Sequence, residues 1–164
     1  MLIKMKPSTG KIGIAAAGLI AACTFSYQAT AAPTIIELVQ VPCQFLDIEK
    51  DHGFTSSKKA DCETINEKTG AERLQKSEVM KLKPGEYIFR VSNENVPYEL
   101  GFWLREKDYN WANPVHKLTK TSVSGGGMHL GTTLDYKVTL EPGEYLFSCP
   151  LNTTPDYSLI VSDS

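Results

Sequence analysis

Residues 140–161, LEPGEYLFSCPLNTTPDYSLIV, limit what this chain can fold into more than any other stretch. They read as turn, strand, loop, strand. Pro142-Gly143 is a tight-turn dipeptide, because proline fixes φ at one central position and glycine permits φ > 0 at the next. Tyr145, Phe147 and Cys149 then alternate with Leu146 and Ser148, the period-2 pattern of a strand with one buried face. A loop follows, and Leu159-Ile160-Val161 reads as the last strand. Residues 82–91, LKPGEYIFRV, echo LEPGEYLFSC. Two copies do not make a solenoid, so the echo predicts equivalent turn-and-strand units within one sandwich.

The other segments fit that plan. Residues 34–41, TIIELVQV, are rich in β-branched residues and predict a first strand. Residues 99–105 and 132–140 predict two more. Residues 43–80 are polar and read as an irregular insertion over one edge or end of the sandwich. Thr64-x-x-Glu67 carries a helix-start pattern there, which Gly70 limits. Residues 106–121 read as a second irregular stretch, with Trp111, Asn113-Pro114 and His116 in it. Ser122 to Gly131 holds three consecutive glycines, which weaken regular structure and let backbone pass close to a neighbour. The fold class predicted is all-β: a Greek-key sandwich of seven or eight short strands.

Lys4, Lys6 and Lys11 precede an apolar run over residues 12–22, the pattern of a secretory signal and too short for a membrane span. Two exits compete. Ala29-Thr30-Ala31 is an A-x-A site that assigns 1–31 to the signal and 32–164 to a single domain. Ile20-Ala21-Ala22-Cys23 resembles a lipobox, which would put a lipid on Cys23. Both point to a bacterial periplasm. Losing residues 1–31 removes three Lys and no acid, leaving 14 basic against 19 acidic residues. An acidic body without a basic stripe argues against nucleic acid as a partner. Three cysteines remain. An odd count in an oxidising compartment means one pair and one free thiol. Cys43 and Cys62 flank the polar insertion and predict the staple, worth about 3 kcal/mol for a loop of about 20 residues. Cys149 is then the free thiol.

The strand ending in Cys149 resembles the cupredoxins, the blue-copper fold. In that family a Gly-x-Tyr-x-Phe-x-Cys strand delivers a copper-ligating Cys, and a short loop adds His and Met before the last strand. Laid on the short-loop form, Cys149 takes the ligand position, while Asn152 stands at the His position and Pro155 at the Met position. Longer-loop alignments put Tyr157 at the Met position. Residues 92–98, SNENVPY, resemble the segment in which a Pro-His pair supplies the first ligand, and here that place holds Tyr98. The resemblance covers residues 34–41 and 81–162. It implies that the loop entering the strand at residue 132 lies beside Cys149, which would bring up Met128 and His129. Strand alternation turns one of those two toward the thiol, and imidazole makes His129 the better metal candidate.

Three functions follow. One is copper handling through a rebuilt site of Cys149 with His129 and Met128, a donor set suited to Cu(I). Another is a metal-free cupredoxin-fold interaction or accessory module with a protein partner; membrane contact would come only through a lipid on Cys23. An enzyme has no support, since no nucleophile–base order, paired carboxylates or phosphate loop is present.

Overall fold

The computed structural model describes residues 32–163; the expected signal segment, its A-x-A site and Cys23 lie outside the described residues. Alternating side chains define the strands. In β4 (Gly85–Asn93) Tyr87, Phe89, Val91 and Asn93 are buried and the residues between them are less so. β8 (Gly143–Ser148) buries Tyr145 and Phe147, and β9 (Tyr157–Val161) buries Tyr157, Leu159 and Val161. With β1 (Thr34–Val41), β2 (Gln44–Phe45), β3 (Met80–Leu82), β5 (Leu100–Glu106), β6 (Ser122–Met128) and β7 (Thr133–Leu140), they form two sheets. One has the order β2-β1-β4-β7 and the other β3-β9-β8-β5-β6. The core lies between them, with Phe45, Phe89, Phe102, Phe147 and Tyr157 at its centre. The protein is a two-sheet β-sandwich, as the alternation predicts.

The repeated Pro-Gly-Glu-Tyr becomes a repeated structure. Tyr87 donates its hydroxyl to the Lys83 carbonyl at 2.8 Å, and Tyr145 donates to the Glu141 carbonyl at 2.9 Å. Each tyrosine thus clamps the turn that precedes its own strand, once in each sheet. Both turns sit at one end, since Gly85 pairs with Leu140 in the β4–β7 ladder. Cys149 follows β8 at the other end.

Three segments depart from expectation. Residues 43–80 are not irregular. They contain β2, the first residue of β3 and an 18-residue helix, α1 (Lys59–Lys76). Asp61 accepts N–H bonds from Ser57 at 2.8 Å and Lys58 at 3.2 Å, which satisfies open donors at the helix start. Thr64 is inside the helix and bonds the Ala60 carbonyl instead. Gly70 does not end it, because it packs against the loop after β8: a Cβ there would lie 3.9 Å from Pro155 Cγ. Residues 106–121 contain a short helix, α2 (Pro114–Thr119), capped by Asn113, whose side chain accepts the Val115 N–H. The glycine stretch is strand β6 rather than loop. Glycines on both sides permit the close approach of β5 and β6: a Cβ on Gly101 of β5 would stand 2.5 Å from the Gly125 carbonyl oxygen, and one on Gly126 of β6 would stand 2.9 Å from Glu99 Oε1.

Gly101→Ala is therefore expected to destabilise the protein by about 1–3 kcal/mol through overpacking against backbone. Urea denaturation measures it, and an unchanged midpoint would show that β5 and β6 can separate at no cost.

Candidate functional site

Cys149 sits where β8 gives way to the loop before β9. That loop is closed on itself, for the Cys149 N–H donates to Thr154 Oγ1 at 2.8 Å and the Thr154 N–H returns to the Cys149 carbonyl at 3.2 Å. The sulfur is fully buried. It accepts the N–H of Asn152 at 3.2 Å and of Gly101 at 3.4 Å. Burial pushes the thiol up from its ordinary value, against the opposing pull of the backbone N–H bonds from Gly101, Asn152 and Leu151 and of the Gln40 side chain. Cys149 is thus a neutral thiol at neutral pH.

Asn152, at the family's His position, is fully buried and ties three segments together. Its Nδ2 donates to the Val41 carbonyl at 2.8 Å, and its Oδ1 accepts the Cys43 N–H at 2.9 Å. The same oxygen lies 3.4 Å from Cys62 Sγ and accepts the Tyr98 hydroxyl at 3.4 Å. Tyr98, at the first-ligand position, also meets Ser56 Oγ at 3.0 Å and Cys62 Sγ at 3.5 Å. Its phenol is pushed up by burial. Pro155, at the Met position, faces Gly70 of α1. All three substituted positions therefore touch the segment running from Ser56 to Gly70. The Cys43–Cys62 disulfide is formed, as the spacing predicts, and Cys149 is free.

Met128 and His129 part company. Met128 is fully buried in the core cluster that also contains Cys149, whereas His129 is exposed and its carbonyl accepts the Thr132 N–H and hydroxyl in a turn. The structure thus turns Met128 inward and leaves the candidate imidazole in solvent. Two reasons are visible. A register shift separates Leu100 from Phe102 in the β5–β6 ladder, and Gly127 takes φ +85° just before Met128.

Sequence reasoning missed several participants. Asn93 anchors this end: its Nδ2 donates to the carbonyls of Val96, Tyr98 and Met128, and its Oδ1 accepts the Val96 N–H. Gln40 is fully buried beside Cys149 and donates to the Gly101 carbonyl at 2.8 Å. Period 2 through TIIELVQV puts Gln40 on the same face as Leu38, so an inward polar residue was readable there. Below α1, buried Glu49 receives Arg73 Nε at 2.9 Å, Arg73 Nη2, and the Tyr157 hydroxyl at 2.5 Å. His52 Nε2 stands 3.3 Å from Glu49 Oε2, and Arg73 also donates to the Cys43 carbonyl at 2.9 Å.

A blue-copper centre needs two imidazoles, a thiolate and a weak axial ligand. Here the positions hold a buried neutral thiol, an amide already committed to Cys43 and Val41, a phenol and a proline. These residues do not fit that ion. Among the described residues no group of three or more His, Cys, Asp or Glu stands close enough to hold a metal.

The two-sheet sandwich is cupredoxin-like, with the Cys-ending strand followed by a loop and the last strand in the order the resemblance implies. The solved structures similar to the chain include two that span most of it. One is auracyanin B, 13% identical, with 82% of this chain and 93% of that chain covered and a TM-score of 0.47. The other is a multi-copper oxidase from Pediococcus acidilactici, 11% identical, with 86% of this chain covered and a TM-score of 0.39; the match spans 28% of the oxidase. No protein-family model and no curated protein sequence matches the chain.

Proposed function

We propose that this chain is a metal-free, non-catalytic cupredoxin-like module, exported to a bacterial periplasm, that works by binding another protein. One observation carries the reading. Tyr98, Asn152 and Pro155, standing where copper ligands would be, are occupied in holding the segment that includes α1 against the end of the sandwich. The chemistry agrees, since a buried neutral thiol is neither a ready nucleophile nor a ready ligand. The acidic balance of residues 32–164 favours a protein partner over nucleic acid. A copper reading keeps one support, the burial of Cys149 and Met128 in one cluster, which offers a thiol and a thioether to Cu(I).

Copper decides between them. The oxidised chain, dialysed against Cu(II) and separately against Cu(I) with the disulfide intact, is expected to retain no stoichiometric copper and to show no intense thiolate-to-copper band. One equivalent retained, and lost in Cys149→Ser, would replace this reading with the copper one.

A further inference from the structure

The most exposed large apolar side chains are gathered in one place. Among the described residues, Leu118 at 88%, Trp111 at 69% and Val115 at 59% are more exposed than any other large apolar residue. Apolar residues scattered singly over a surface are ordinary, but a cluster of them marks a contact. Trp111 lies in the turn before α2. Val115 and Leu118 stand three apart on the helix and so share one face of it. The other side is fastened to the sandwich. His116 Nδ1 accepts the Asn110 N–H at 3.0 Å, and its ring stands 6.4 Å from that of Tyr109. Tyr109 in turn meets Trp103 of β5 edge-on at 6.3 Å. The helix is thus held with its apolar face toward solvent.

Size, charge and place fit a lipid bilayer. Three side chains make a patch far smaller than the about 800 Å² per partner that a stable protein interface covers. A bilayer interface takes up apolar side chains individually, by the area each one buries, and tryptophan favours that layer. Residues 32–164 are acidic overall, yet no Asp or Glu occurs from Tyr109 to Leu134, and Lys117 is exposed on α2. The acids flanking this excursion are neutralised, for Lys120 pairs with Glu106 and Asp108 and Lys107 pairs with Glu144. Glu141, in the adjoining turn, is offset in net charge by Lys117. A negative lipid surface therefore meets a near-neutral end rather than the acidic body. The place agrees. β5 runs to Glu106, opposite Tyr145 near the start of β8, and β1 begins at Thr34, opposite Tyr87 near the start of β4. The chain thus enters the sandwich at the end that carries α2, away from Cys149. A lipid on Cys23 would bring that end to a bilayer first.

We propose that Trp111, Val115 and Leu118 are a bilayer-docking face, which seats this end of the sandwich in the interfacial layer of a membrane. The contact needs no lipid on the chain, and a lipid on Cys23 would strengthen it, since one weak anchor is made firm by a second. This goes beyond the accessory-module reading, and the two fail separately: copper retention bears on that one, lipid binding on this one.

The test uses the full chain expressed in a bacterial host with Cys23→Ser, which removes the lipid site, and vesicles of phosphatidylethanolamine mixed with phosphatidylglycerol. The chain has two tryptophans, Trp103 and Trp111. Arg105 already lies over the Trp103 ring at 3.9 Å, so a change on lipid addition reports Trp111. The emission is expected to move to shorter wavelength as lipid is added, and the chain is expected to float with the vesicles. Leu118→Asp is expected to lower the vesicle partition coefficient at least about tenfold, the effect of losing one buried leucine. Its urea midpoint should match that of wild type, because the side chain is 88% exposed. A spectrum unmoved by lipid would overturn the docking face. Equal partitioning of wild type and Leu118→Asp would do so too, because another surface would then be binding. So would a dimer in lipid-free buffer that Leu118→Asp dissociates, since the face would then belong to a second copy.

Discussion

Arg73→Ala is expected to lower the stability of the protein by about 3–5 kcal/mol, because it leaves a buried carboxylate without its counter-ion. Both side chains of the pair are 4% exposed. Arg73 makes paired bonds to Glu49 and caps the Cys43 carbonyl, and its guanidinium lies over the Phe54 ring at 4.9 Å. Removing it strands Glu49, with the Tyr157 hydroxyl and His52 as its remaining partners. Arg73→Met combined with Glu49→Gln is expected to recover more than half of the loss, since the amide still accepts from Tyr157 and no charge stays buried. Urea denaturation of the two variants measures both effects. A loss below about 1 kcal/mol in Arg73→Ala would place this pair with exposed ones.

The same pair sets a pH dependence. Burial raises the Glu49 carboxyl, but the bonds from Arg73 and Tyr157 and the attraction of Arg73 and His52 outweigh it and hold the group below its ordinary 4.5. A carboxyl depressed in the folded state binds fewer protons there than in the unfolded chain. Its contribution is therefore full above about pH 4.5 and is lost as pH falls through the folded value. The stability gap between wild type and Arg73→Ala should narrow as pH falls toward and through the folded value, because burial without Arg73 lets the variant's Glu49 take up its proton first.

The strands with clear alternation were legible in the sequence because each buries one face and solvates the other. TIIELVQV became β1 residue for residue, and the two Pro-Gly-Glu-Tyr units became β4 and β8. Helix α1 was only partly legible: the staple and a helix-start pattern could be read, but no apolar period marks its extent, and the Arg73 attachment is a tertiary contact that leaves no pattern. α2 was legible and overlooked, for Asn113-Pro114 is a cap followed by proline at the first helical position. In the site, the place of Cys149 follows from the strand that ends on it. The choice between Met128 and His129 does not, since a bulge and a positive φ at Gly127 decide which of two neighbours turns inward. Glu49–Arg73 lies 24 residues apart in sequence, with ordinary surface residue types at both ends, and only the fold reveals it as buried.

Phe45→Ala is expected to cost about 3–5 kcal/mol, the range for emptying an aromatic site in a close-packed core. Phe45 belongs to the segment that sequence composition marks as polar, yet it is fully buried on the two-residue strand β2. Its ring meets Phe147 at 5.7 Å, Tyr157 at 5.8 Å and Phe102 at 6.3 Å, all edge-on, so it closes the sandwich beside the α1 attachment. Phe45→Leu leaves a smaller cavity and should cost less than half as much. The two variants also probe the route from the core to α1. Tyr157 packs on Phe45 with its ring and bonds Glu49 with its hydroxyl, so Phe45 and Arg73 share a partner. Effects at sites that share a partner do not add. Phe45→Leu with Arg73→Ala should therefore differ from the sum of the single losses by about 0.5 kcal/mol or more. The milder leucine keeps the doubly substituted protein folded enough to measure, since domains of this size have about 5–15 kcal/mol in total. Strict additivity would mean that the core and the helix attachment are independent, and that nothing at Phe45 can tune how tightly α1 is held.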